Sequence, residues 1–468
     1  MKNLVKLAAG VLMLITASSS VRAMPPGMPA VPDLEFRPPT GERFVLDNGL
    51  VVYLMKDNTL PVVHISAIVG AGNAHDPADK IGLIELASQM LKDGGTKSYT
   101  AEEIDKQLEF LGASIESSAY SEETRVDMTT LKKDLGKVLD IYAEVLRQPV
   151  FNEEKLKLAK DEELEMLRRR NDKPNDVLFR EAKRMFYGEK HPYGWRKEPA
   201  TVAAISRADM QAFHAAYYKP NNIIVSVSGD FASDEEMLKT LKGKFASWEK
   251  GSVAKAVVPD FEPKKGRQIY LIDKDVAQTF IVIFQKGLGY NSPEEYPLTV
   301  LTEILGGGMQ SRLMTEVRSK KGLAYTVQSS SPRRTKKGFT YTYCGTKPET
   351  YSQALSEILK QLERAGSEPV PQDELKRGKD AIINPFVFKF PTPAKLISER
   401  ASEEFYNLKD GYLDNYVSRI RKASQDDLLA AAKDIYDTKN ALIFVIGNSK
   451  KFDKPLSEFG PVTELKED

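Results

Sequence analysis

Runs of alternating or continuously apolar residues at 44–46, 51–55 and 62–69 predict three strands near the start of the chain. The pattern then changes to helical spacing over about 83–92. A second helix is predicted at 101–111. Thr100 stands before it with Glu103 three residues on, a pair that can satisfy two free backbone N–H groups reciprocally. Strand-like segments follow at 114–118 and 125–130. Long helical stretches are predicted at 135–146 and 153–170, and a closing strand at 222–228.

This order occurs twice. SRADMQAFHAAYYKPNNIIVSVSGD, from Ser206, matches SQDDLLAAAKDIYDTKNALIFVIGN, from Ser424, without a gap. The shift of 218 positions holds for Ser206/Ser424, Asp209/Asp427, Tyr218/Tyr436, Asn222/Asn440 and Gly229/Gly447. Near the start of each half, Tyr53-Leu54 recurs as Tyr270-Leu271, Gly70 as Gly287 and Gly72 as Gly289, all at a shift of 217. A near-constant offset predicts two homologous α/β (α+β) domains, at 41–248 and 267–460. Between them, 249–266 holds Gly251, Pro259, Pro263 and several lysines, the composition of an exposed linker.

Composition narrows the picture. The 468 residues are 41% hydrophobic and 28% charged, ordinary for a globular chain of two or three domains. With 67 Lys+Arg against 66 Asp+Glu, the net charge of +1 gives no reason to invoke nucleic acid or an anionic membrane surface. Cys344 is the only cysteine, so a large core rather than a disulfide must supply stability. Lys2 and Lys6 precede an apolar stretch at 7–15, and small residues end in Val21-Arg22-Ala23. That order predicts a signal peptide at 1–23, cleaved after Ala23, and a periplasmic location. A Pro-rich arm at 24–40 follows, and no later segment is expected to span a membrane.

The first helix carries the candidate chemistry. In GLIELASQMLKDGGT (82–96), Glu85, Ser88 and Gln89 stand at i, i+3 and i+4, on one face. The segment resembles the inverted zinc motif His-x-x-Glu-His of the M16 family, which includes pitrilysin, insulinase and the mitochondrial processing peptidase. Gly82, Leu83, Met90, Gly95 and Thr96 fit the frame. Glu85 stands where the first His belongs, Ser88 where the Glu belongs and Gln89 where the second His belongs. A catalytic zinc takes three imidazole or carboxylate ligands and a water, and its general base is the motif Glu. Glutamine is a poor ligand and a serine hydroxyl is not a base. Counting seventy-six residues from Gln89, as the resemblance directs for the third ligand, reaches Glu165, which also reads as a plain surface carboxylate in an acidic helix. His64, His75, His191 and His214 are scattered and never paired at i, i+4. No metal is expected in this chain, and the chain alone is not expected to cleave peptides.

The second half contains ILGGGMQSRLMTEVRSKKGLAYTVQSS (304–330). Gly306, Gly307 and Gly308 lead into a predicted helix at 310–320, which Gly322 is placed to end, and a strand is predicted at 323–328. No Lys-Ser/Thr pair follows at P-loop spacing, so the glycines read as allowing close chain approach. The stretch resembles the M16 C-terminal motif in which an Arg and a Tyr seven residues later face the active site, here Arg318 and Tyr325.

The resemblance covers about 40 to 450 and implies two LuxS/MPP-like metallohydrolase domains, each a mainly antiparallel sheet packed with helices. Some M16 peptidases are two-chain assemblies in which one subunit holds zinc and the other a degenerate site. This chain looks like the second kind. The implied function is that of a non-catalytic subunit in a heterodimer with a zinc-bearing M16 paralogue. It would supply Arg318, Tyr325 and half of a chamber for peptide or unfolded polypeptide. The strand at 114–118 matches the family's substrate-pairing edge, with Glu116-Ser117 in place of Asn-Ala. A different reading is a non-proteolytic M16-like binding or scaffold protein, acting as a homo-oligomer or within a larger assembly. An active peptidase using Glu85 and Glu165 as metal ligands is the reading with least support.

Overall fold

A computed structural model describes residues 37–254, 258–409 and 411–466. The signal peptide expected at 1–23, and the arm as far as residue 36, lie outside the described residues.

Among the described residues, twelve strands form two six-stranded sheets. The first is built from β1 (Glu42–Val45), β2 (Val51–Lys56), β3 (Val62–Val69), β4 (Ser114–Ala119), β5 (Thr124–Leu131) and β6 (Ile223–Gly229), in the order β1-β2-β6-β3-β5-β4. The second contains β7 (Gln268–Asp273), β8 (Thr279–Lys286), β9 (Ala324–Ser330), β10 (Phe339–Thr346), β11 (Leu442–Gly447) and β12 (Val462–Glu464), in the order β12-β7-β11-β8-β10-β9. Most neighbours are antiparallel, and β2–β6, β7–β11 and β7–β12 are parallel.

The register repeats as well as the order. Val51 lies opposite Ile224, and Gln268 opposite Leu442, which are the same positions under the sequence offsets of 217 and 218. The repeated pairs Ser206/Asp209 and Ser424/Asp427 each form a reciprocal helix cap. The halves differ at one edge: β1 runs antiparallel to β2, whereas β12 runs parallel to β7.

Strands β6 and β11 are buried at every residue, which requires cover on both faces. On one face of the first sheet lie α1 (Leu83–Asp93), α2 (Ala101–Leu111) and α3 (Leu135–Arg147), with Met90, Ile104 and Tyr142 in the core against Val225 and Val227. The other face receives a helix from the second half, Pro393–Phe405, whose Ala401 packs on Ile68 and Ile224. Arg125 of β5 donates to Ser398 (2.9 Å) and Ser402 (2.8 Å) of that helix.

The exchange is reciprocal. Beyond α4 (Glu153–Arg168), α5 (Pro174–Tyr187) of the first half lies on the second sheet. There Val177, Leu178 and Phe186 join Tyr270, Phe284 and Phe444 in one core. The repeat is thus one of topology, and in packing each half completes the other.

The joining segment is tied to this body. Asn221 exchanges two hydrogen bonds with the Gly251 backbone, His191 Nε2 donates to Pro259 O, and Phe261 packs 5.0 Å from Phe186. Among the described residues, no helix is long and apolar enough to cross a membrane.

Candidate functional site

Helix α1 begins at Gly82, where Asp76 supplies the cap. One carboxylate oxygen accepts from Gly82 N (2.8 Å) and the other from Ile84 N (2.9 Å). Burial pushes the Asp76 carboxyl up to about 7, outweighing the two N–H donors. Leu83, Ile84, Leu86, Ala87, Met90 and Leu91 face the core. Glu85 and Gln89 therefore stay on the outer face, while Ser88 is buried against the sheet edge.

The three degenerate positions are engaged separately. Ser88 Oγ lies 2.5 Å from Ser117 Oγ on edge strand β4. Gln89 is exposed. Glu85 Oε1 lies 2.9 Å from Lys197 Nζ. The same ammonium lies 2.6 Å from Glu163, a buried carboxylate on α4.

Glu165, the residue reached by counting, faces elsewhere. It accepts from Arg168 (3.1 Å) and Arg169 (2.8 Å) one turn on, and these cations hold its carboxyl below the usual range. Two residues along a helix turn a side chain by roughly 200°, so Glu163 and Glu165 cannot share a face.

The residues at this position do not fit a zinc ion. A hydroxyl and an exposed amide replace the base and one ligand, and the two nearby carboxylates are joined by an ammonium. Among the described residues, no three His, Cys, Asp or Glu side chains are grouped to hold a metal ion. The histidines serve locally. His64 pairs with Thr129, His75 with the Gly72 backbone, His191 with Tyr193 N and Pro259 O, and His214 with Leu146 O.

The second half repeats the helix-over-edge-strand arrangement. Helix Glu295–Thr302 continues as a π-helical turn, Glu303–Gly307, and a second π-helical stretch, Met314–Lys320, packs over β9. Such wide turns are uncommon and concentrate at functional positions. Gly322, at φ +64°, ends the stretch, donating to Arg318 O at 3.0 Å. The chain then enters β9, with Tyr325 as its second residue.

Arg318 and Tyr325 thus flank one helix-to-strand junction at a sheet edge. Both are exposed, Tyr325 at 62%. Neither side chain makes a hydrogen bond or ion pair with another described residue. A guanidinium and a phenol left free on one rim can bind carbonyl oxygen and the negative charge that develops on it.

Motif spacing brought out Glu85, Ser88, Gln89, Arg318 and Tyr325. It did not bring out Lys197, Glu163 or Asp76. Lys197 is 112 residues from Glu85 and meets it only through tertiary packing, and no local pattern marks it.

Comparison with known proteins agrees with this architecture. Residues 51–193 match the sequence model of the insulinase family, peptidase family M16, and residues 204–382 match that of the peptidase M16 inactive domain. The uncharacterized zinc protease YmxG of Bacillus subtilis is 24% identical over 410 residues, 86% of this chain and 98% of that protein. The crystal structure of a peptidase M16 inactive domain from Pseudomonas fluorescens superposes with a TM-score of 0.81 at 23% identity, covering 89% of this chain and 99% of that one. The first half of the periplasmic protease PqqL from Escherichia coli gives 0.74 at 16% identity, covering 89% and 93%. The chain belongs to the M16 peptidase family, with its second half matching the family's inactive domain.

Proposed function

We propose that this chain is the non-catalytic subunit of a periplasmic two-chain M16 zinc peptidase. A paralogue with an intact His-x-x-Glu-His helix holds the metal. This chain adds Arg318 and Tyr325 to that site and walls half of the peptide chamber.

The observation that carries the reading is the Arg318/Tyr325 pair: two groups suited to oxyanion binding, on an edge-strand rim, with no partner among the described residues. In the assembled enzyme, the guanidinium and phenol donate hydrogen bonds to the scissile carbonyl oxygen as its charge grows. Edge strand β4 leaves one side of its backbone unpaired by any strand of the described residues, so an extended peptide can add to it. Matching the whole PqqL chain, with 92% of this chain covering 49% of that one at a TM-score of 0.73, supports a pairing of two such modules. The location rests on the N-terminal leader pattern and on the periplasmic proteins among the structural neighbours.

The test is reconstitution with the zinc-bearing M16 paralogue of the same organism. Co-elution as a complex is expected, with peptide hydrolysis faster in the mixture than with either chain alone. Two separate peaks and no gain in hydrolysis would sink the proposal.

A further inference from the structure

Helices α1 and α4 are the two elements that a metal in this family resemblance would join. Here Lys197 joins them. Its Nζ lies 2.9 Å from Glu85 of α1 and 2.6 Å from Glu163 of α4. Glu163 is only 8% exposed, and a buried carboxylate without a cation is strongly destabilising. Lys197 is the cation that pairs it.

The lysine is positioned from several directions. Arg170 donates to Lys197 O at 3.0 Å and to Glu198 at 2.9 Å, tying the segment to the end of α4. Thr201 donates to Ile81 O at 2.9 Å, tying it to the start of α1. The aliphatic stem crosses Gly82, where a Cβ would come within 2.9 Å of Lys197 Cδ. Gly82 also has φ +102°, so both the space and the backbone there disfavour any residue with a Cβ. The glycine of the zinc-helix frame is used here to admit a lysine.

The geometry points to Lys197 Nζ as a resident substitute for a metal ion: a fixed ammonium that cross-links α1 to α4 and closes the position to divalent metal. One positive charge between two carboxylates leaves no free ligand pair for an incoming ion. The helix face beside β4 is then held in shape without zinc. This inference concerns the first half alone and stands or falls separately from the role of Arg318 and Tyr325.

Two measurements test it on the full chain. In thermal unfolding, Lys197→Met is expected to lower the melting temperature by about 3–6 °C, the scale of one buried carboxylate left unpaired. Adding Glu163→Gln to that variant is expected to restore most of the loss. No loss, or no recovery, overturns the proposal. Zinc content after dialysis against the metal supplies a readout independent of stability. Glu85→His with Gln89→His is expected to take up no stoichiometric zinc while Lys197 remains. The same pair with Lys197→Ala is expected to take up about one ion per chain. Equal uptake by both variants, or uptake by neither, contradicts the proposal.

Discussion

The hydroxyl of Ser88, at the position of the family's general base, lies 2.5 Å from the hydroxyl of Ser117 on edge strand β4. Both replace the residues the resemblance implies there, and they bond to each other. The altered motif helix and the altered edge strand are thus coupled, and the contact is structural in character. Ser88→Ala and Ser117→Ala are each expected to cost about 0.5–1.5 kcal/mol in denaturant unfolding. The double variant is expected to cost little more than either single one. Fully additive losses would show that the two hydroxyls are independent.

Glu165 is expected to be dispensable. Its pairs with Arg168 and Arg169 lie on an exposed helical turn, where such contacts contribute little. Glu165→Ala should unfold at the same denaturant midpoint as the parent and leave the activity of the reconstituted mixture unchanged. A loss of activity without loss of stability would assign Glu165 a direct role.

The exchanged helices predict cooperative unfolding. Phe186 of α5 is buried in the core of the second sheet, 5.6 Å from Phe284. Phe186→Ala is expected to cost about 3–5 kcal/mol. Far-ultraviolet circular dichroism and tryptophan fluorescence should report one coincident transition for the described body, since neither half covers its own sheet alone. Two separated transitions would mean that the halves are independent domains.

Much of this architecture is legible in the sequence. The strand at 62–69 and the helix at 101–111 match the structure at both ends, because β-branched alternation and a reciprocal cap are local signals. The helix predicted at 153–170 ends at Arg168. Helix α5 was not legible from its own pattern as a partner of the second sheet, because its apolar face is completed by residues as far along the chain as Tyr270, Phe284 and Phe444. The same holds for the motif helix. Residue types at Glu85, Ser88 and Gln89 mark the departure from the family's zinc motif, but Lys197 and Glu163 reach α1 only through packing. Counting along the chain selects Glu165, whereas the phase of α4 selects Glu163.

Acid sensitivity has an identifiable source in His214. The ring is stacked 4.5 Å from Tyr218, its Nε2 donates to Leu146 O at 2.9 Å, and burial pushes its pKa down to about 4. In the unfolded chain the value is about 6.5. Between those values the unfolded chain binds a proton that the folded chain does not. Stability from this group is therefore complete above pH ~6.5 and falls as pH drops towards ~4, by up to about 1.4 kcal/mol per unit. Asp76, raised to about 7, acts in the opposite sense, since the folded chain holds its proton at a pH where the unfolded chain has released it. The difference in stability between the parent and His214→Gln isolates the histidine. It should shrink as pH falls from 6.5 to 4, and a difference constant with pH would contradict this assignment.

The most direct test of the central claim is the rate of peptide hydrolysis by the reconstituted pair when only Arg318 or Tyr325 of this chain is altered. Both side chains are exposed and outside the core, so Arg318→Ala and Tyr325→Phe should leave folding and complex formation intact. The account predicts a fall in kcat of roughly 10²-fold for each, the scale of losing one oxyanion donor. An unchanged kcat for both variants, in a complex that still forms, would contradict it.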